Sequence, residues 1–158
     1  MTNIKIAIVR IRGKINVRKE IEGTMRMLRL FNKNTCTVVP NAKAAHGMIK
    51  KVKDYVTWGE INEKTFTELL KKRGKLPGSK SLTEKYLEEK TKTTIDGFTK
   101  EYFEGKKELK DIPGLKRFFR LRPPEKGFER KGIKKTYAVG GVLGYRKDKI
   151  NELIMRML

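Results

Sequence analysis

The chain has one cysteine, Cys36, and one histidine, His46. A lone cysteine closes no disulfide within the chain, so the expected setting is reducing and intracellular. One imidazole and one thiol do not fill a tetrahedral zinc site. Nor do they supply a nucleophile, a base and an orienting group together. His46 is therefore expected on the polar face of a helix, and Cys36 as a small buried apolar group in a strand. Long apolar runs are missing too. Nothing approaches the roughly 20 residues a membrane helix needs, and Ile4–Val9, broken by Lys5, is too short for the apolar heart of a secretion signal. Negative charge is scarce relative to positive. Eighteen Asp and Glu face 39 Lys and Arg, a formal net charge of +21 in 158 residues. Self-repulsion on that scale destabilises a compact chain unless a polyanion screens it, and nucleic acid is the usual one. A membrane surface fits less well, because no basic helix with a large apolar face stands out.

The imbalance is uneven. Residues 1–59 carry 13 Lys+Arg against 3 Asp+Glu, residues 60–110 carry 13 against 10, and residues 111–158 carry 13 against 5. Two cationic ends flank a nearly neutral middle. The ends are expected to neutralise phosphates and release their counterions. The middle is expected to face solvent or another protein.

Periodicity gives the first 59 residues a β-α-β-α-β reading, hence an α+β fold with a small sheet and both helices on one face. A strand over 4–11 has Ile4, Ile6 and Ile8 on one face, and Lys5 and Arg10 are expected at exposed ends. Arg12-Gly13-Lys14 is a basic turn. Asn16 is a candidate N-cap for a helix over 17–30 with an Ile21, Met25, Leu28 stripe. Gly23 weakens that helix by about 1 kcal/mol relative to alanine, and Asn32 and Asn34 suit a left-handed end. Thr35–Val39 is a β-branched run stopped by Pro40. Asn41 then suits an N-cap, and Ala42, Ala45, Ile49 and Val52 make an apolar face opposite Lys43, His46, Lys50, Lys51 and Lys53. Tyr55–Trp58 is a third strand, closed by Gly59.

Residues 60–110 read as short helices. Asn62 caps one carrying Phe66, Leu69 and Leu70, ended by Gly74 and Pro77. Ser81 and Glu84 have capping-box spacing. Thr94 caps a third with Ile95, Phe98 and Tyr102, ended by Gly105. From 111 onward the chain is basic and rich in glycine, up to a terminal helix over 148–157. The expected division is a core over 1–59 and an extension over 60–158, helical to 110 and basic beyond.

In the extension Arg120, Arg122, Lys126, Arg130, Lys131, Lys134, Lys135 and Arg146 are interleaved with aromatic rings. Phe118 and Phe119 suit core packing, whereas Phe128 and Tyr137 are placed to stack on unpaired bases. Gly127, Gly132, Gly140 and Gly141 permit close approach to a phosphate backbone, in a stretch that orders when bound. A nucleotide loop is a poorer reading, because Gly140, Gly141 and Gly144 lack a Gly-Lys-Ser/Thr ending. Two rivals stay open. Glu84, Glu88, Glu89, Asp96, Glu101 and Glu104 are potential magnesium ligands of an RNA-processing nuclease, although Lys85, Lys90, Lys100 and Lys106 among them give the pattern of a solvated helix face. A general architectural nucleic-acid binder shares the same charge.

Several motifs together resemble one family. They are I-A-I-V-R-I-R-G at 6–13, T-M-R-M-L-R-L at 24–30, N-T-C-T-V-V-P-N at 34–41 and H-G-M-I-K-K-V-K-D-Y-V-T-W-G-E at 46–60. R-P-P at 122–124, G-G at 140–141 and N-E-L-I at 151–154 extend the match. The chain resembles the large-subunit ribosomal protein family L-thirty in its long archaeal form, whose eukaryotic counterpart is L-seven. Short bacterial members correspond to about residues 4–58. Two stretches depart from the pattern: Glu125-Lys126-Gly127-Phe128 after the Pro-Pro pair, where the family is richer in glycine, and Val142 after the Gly-Gly pair, where an acid is common. The resemblance implies an antiparallel-rich sheet and a monomer in the cytoplasmic large subunit. It implies binding to large-subunit rRNA near the 5S rRNA, beside other ribosomal proteins, with no cofactor, no small-molecule substrate and no catalysis. It places Arg10, Arg12, Arg26, Gly47, Lys50 and Lys51 on the basic core surface, with Gly47 letting the second helix approach RNA.

Overall fold

The computed structural model describes residues 4–158; the first three positions of the 1–59 section lie outside the described residues. β1 (Lys5–Arg10), α1 (Lys19–Met27), β2 (Thr35–Pro40), α2 (Lys43–Val52) and β3 (Val56–Glu60) follow one another in the expected alternation. Then come α3 (Glu63–Arg73), α4 (Glu84–Thr91), α5 (Ile95–Glu104), β4 (Phe119–Arg120), β5 (Gly144–Tyr145) and α6 (Ile150–Met157). One five-stranded sheet has the order β4-β2-β1-β3-β5. β1 is central and runs antiparallel to both neighbours, with Ile6 opposite Val39 on one side and Glu60 on the other. β4 adds antiparallel to β2, and β5 adds parallel to β3. The class is α+β with a mainly antiparallel sheet.

β1 is central because it is apolar on both faces. Ile6 and Ile8 pack with Met25, Leu28, Ile49 and Val52, so α1 and α2 cover one face together. Ala7 and Val9 join Cys36, Phe66, Leu69, Phe98, Phe119, Leu153 and Ile154 on the other face, under α3, α5 and α6. The result is a helix–sheet–helix sandwich. Phe66 stacks on Tyr102 at 4.7 Å between centroids, tying α3 to α5.

Several local features differ from what the sequence predicts. Both ends of β1 are buried rather than exposed: Lys5 lies over the Tyr102 ring at 4.5 Å, and Arg10 is enclosed. Asn16 takes a left-handed φ of 57° instead of capping, and α1 starts two residues past Val17 with no side-chain cap. α1 ends through a left-handed Arg29 rather than at Asn32, and Asn34 is left-handed as expected, at φ 61°, but in the turn just before β2. Asn41 caps nothing; its Oδ1 is 2.6 Å from His46 Nε2. Thr83, not Ser81, caps α4, taking the Tyr86 N–H at 3.4 Å. Asn62 and Thr94 do cap α3 and α5. Gly59 sits inside β3 rather than closing it, and an added Cβ there would clash with the Lys147 carbonyl oxygen. The chain before α6 crosses that strand where only glycine leaves room.

Candidate nucleic-acid interface

The loop between β1 and α1 carries Arg12, Gly13, Lys14 and Ile15. Arg10 builds it from inside. Its guanidinium donates to the carbonyls of Leu30 at 2.7 Å and of Arg12 and Gly13 at 2.9 Å each. Only 1% of Arg10 is exposed, and burial lowers its pKa, opposed by Glu22 and Tyr55. Carbonyl oxygens satisfy the charge without neutralising it, so Arg10 fastens a cationic loop instead of presenting itself.

That loop meets the basic end of the extension. Arg12, Lys14, Ile15, Lys33, Tyr55, Ile133 and Lys134 line one cleft of about 470 Å³, and no carboxylate lines it. Arg12 lies over the Tyr55 ring at 5.0 Å and donates to the Asp54 carbonyl at 3.2 Å, which fixes its height in the cleft. Ile15 stands 89% exposed at the loop tip. Among the described residues, four cations converge without a counter-charge, from segments about 120 residues apart in sequence, Arg12 at one end and Lys134 at the other. Such a cleft has the chemistry of a phosphate-backbone seat.

The other expected contact residues fall into groups. On α2, His46, Gly47, Lys50 and Lys51 are exposed, as is Lys53 just beyond it. Among the described residues, no carboxylate lies within 4 Å of Lys50, Lys51, Lys53, Arg120, Arg122, Lys126, Arg130, Lys131 or Lys135. Arg26 is exposed but shares its charge with Glu22 at 3.1 Å. A Cβ on Gly47, or on Gly23 of the adjoining α1, would meet nothing within 4 Å.

Arg146 is different. It is 3% exposed and makes a two-pronged pair with Glu129, at 2.5 and 2.8 Å, while bonding the Thr57 hydroxyl and the Val142 carbonyl. Its guanidinium also covers the Tyr137 ring at 4.5 Å. One face of Tyr137 is therefore occupied, and Phe128 packs against the core beneath the loop. Gly141 serves an internal crossing: a Cβ would clash with the Lys135 carbonyl oxygen. The 125–144 stretch, expected to order only when bound, thus carries its own fastening. Lys33, Tyr55 and Glu129 escape sequence reasoning. The only signal is that Glu129 is the sole acid between Lys126 and Gly144.

The acids of the middle section do not converge. Lys71 lies 3.9 Å from Glu84 and 3.7 Å from Asp96, Lys107 lies 2.6 Å from Glu101, and Lys106 lies 2.7 Å from Glu104. Among the described residues no group of three or more His, Cys, Asp or Glu is placed to hold a metal ion. No helix among them is long and apolar enough to cross a membrane.

The Ribosomal protein L30p/L7e family model matches residues 6–56, which span β1 to the start of β3. Relatives extend the likeness over nearly the whole chain. Large ribosomal subunit protein uL30 of Nanoarchaeum equitans is 51% identical over 152 residues, 96% of this chain and 97% of that protein. The chain belongs to the ribosomal protein L30p/L7e family. The uL30 proteins of Methanopyrus kandleri and Methanococcus maripaludis are 49% and 48% identical, over 93% and 96% of this chain and 99% and 98% of their own lengths. L30p/L7e proteins are structural parts of ribosomes, not enzymes. The family model stops before α3, so the cleft wall formed by Ile133 and Lys134 is found only in the long relatives' span.

Proposed function

We propose that this chain is a structural constituent of the cytoplasmic large ribosomal subunit, binding and positioning large-subunit rRNA close to the 5S rRNA. It works as a monomer among neighbouring ribosomal proteins and needs no cofactor. The observation that carries this reading is the cleft where Arg12, Lys14, Lys33 and Lys134 converge with no carboxylate among them. A seat for rRNA backbone at that point would clamp the core to the extension. The free lysines of α2 add a second strip of phosphate contacts. Family membership supports the subunit, and the resemblance supports the 5S neighbourhood.

The test exploits Cys36, which is fully buried, with burial pushing its thiol up to about 12. It stays unreactive to labels near neutral pH. Ile15→Cys therefore offers one labelling site, at the cleft mouth, for a tethered iron chelate that cuts nearby RNA. After assembly into large subunits, cuts are expected in one compact region of large-subunit rRNA, with weaker cuts in 5S rRNA. Scattered cuts, or none, would reject the seat; cuts without any in 5S rRNA would reject that neighbourhood alone.

A further inference from the structure

β2 has six residues, but β4 pairs only with Thr35 and Cys36. Beyond Cys36 the edge is open. The direction of its backbone groups follows from alternation. Asn41 N–H donates to the Ile4 carbonyl, so Val39 and Thr37 share the parity that bonds β1. Cys36 has the opposite parity and faces β4. Val38 shares the parity of Cys36, which leaves its N–H and C=O facing away from β1. Pro40, next on that side, has no N–H, and its carbonyl already accepts from Ala42 at 2.9 Å.

A slot of about 210 Å³ lies over this edge. Its floor is Thr37, Val38 and Val39. Met27, Leu28 and Met48 form one wall, and Tyr102 and Leu109 the other. Arg29, Lys110 and Arg117 sit at its rim with one acid, Glu108. The Thr37 hydroxyl, in a residue 2% exposed, has no hydrogen-bond partner among the described residues. Met27 is 68% exposed, an unusual position for a large thioether with nothing over it.

We propose that this slot takes an extended, acidic peptide segment of a neighbouring protein, which adds to β2 as a short strand in line with β4. An extended backbone supplies both the acceptor and the donor that Val38 lacks, which an RNA strand does not do at strand spacing. Alternate side chains of the segment drop against the Met27/Met48 wall and the Leu109 wall, where adaptable methionines fit varied shapes. The rim's excess of cations selects acidic flanks. Pro40 limits the pairing to a few residues, which keeps the open edge from templating longer aggregates. The proposal rests on the ribosomal reading only for where the partner is met.

Two measurements on the full chain test it. In the free protein, hydrogen exchange at the Val38 amide is expected to be fast, while Val39 is protected by β1. In assembled large subunits Val38 should slow by 100-fold or more. A slow Val38 in the free protein, or an unchanged one in subunits, would overturn the proposal. In parallel, Met27 is replaced by the photoreactive p-benzoylphenylalanine, which its exposure allows without disturbing the core. Illuminated subunits should yield one cross-link to an extended, acid-rich protein segment, identified by mass spectrometry. A cross-link to rRNA, or no cross-link, would overturn it while the cleft's RNA cuts stand. Absence of the protein from the subunit fraction would overturn both readings.

Discussion

Two arginines look alike in sequence and act in ways that only their surroundings reveal. Arg10 and Arg146 both lie in basic stretches that read as RNA contacts, yet both are buried. Their charges hold loops in place. For Arg146 the partner is Glu129, whose side chain is 23% exposed. Burial would raise the Glu129 pKa, but hydrogen bonds from Arg146 and the charges of Arg146 and Arg156 outweigh it and leave the carboxyl below its ordinary value. Glu129→Gln strands a buried guanidinium. The expected loss is about 3 kcal/mol, the low end for breaking a buried pair because the acid is partly solvated. Glu125→Gln, exposed in the same stretch, should change stability by no more than about 0.5 kcal/mol. Urea denaturation of the two variants makes the comparison. The same pair sets an acid response. A depressed folded pKa means the stabilisation is full above the ordinary carboxylate value of about 4.3 and is lost as pH falls below it through Glu129's own value. Tyr137 ring resonances, shifted by the guanidinium above them, should move toward unstructured positions over that acidic range and stay fixed between pH 5 and 8.

At the scale of elements, α1 and α2 each contain a glycine that the protein itself does not require. Gly23 and Gly47 lie in helix interiors with open space where a Cβ would be. Alanine there should stabilise the isolated protein by about 0.5–1 kcal/mol. If α2 approaches an RNA backbone through Gly47, the same methyl group stands in the way. Gly47→Ala is thus expected to raise the melting temperature and weaken rRNA binding together, read by calorimetry and filter binding. Unchanged binding would place RNA away from that turn. Elements of this length were legible in the sequence because their apolar spacing repeats: the five elements of residues 5–60 and helices α3, α5 and α6 overlap the spans periodicity assigned, although α1 is shorter at both ends. The caps were legible only in part, and Asn16 takes a left-handed turn before α1 instead of capping it. Asn62 and Thr94 behave as their side chains suggest, but Asn41 is drawn to His46, and Ser81 loses α4 to Thr83. β4 and β5 were illegible as strands. With two residues each they have no period to detect, and they exist because a longer strand offers them an edge. Of the cleft, Arg12, Lys14 and Lys134 could be named, but their convergence could not, since no local pattern joins the first loop to the last.

For the whole molecule, the charge gap along the chain becomes a difference between surfaces. Ion pairs concentrate in the middle section, where Lys71, Lys72, Lys106, Lys107 and Lys110 each have an acid within 4 Å. Among the described residues, the cations of the cleft and of α2 have none. Paired lysines release few counterions on meeting a polyanion, since their fields are already cancelled, whereas unpaired ones each displace a condensed ion from the phosphates. The salt dependence of rRNA binding therefore reports which surface is used. Removing two phosphate-contacting lysines lowers the magnitude of the logarithmic salt slope by about 1.5. Lys14→Ala with Lys134→Ala is expected to show that drop, because both line the cleft from opposite ends of the chain. Lys106→Ala with Lys110→Ala removes the same formal charge from the middle section and should leave the slope unchanged. Equal drops for both pairs would mean that binding follows net charge alone. A drop confined to the cleft pair would mean that the fold, by bringing two cationic ends together, decides where the polyanion sits.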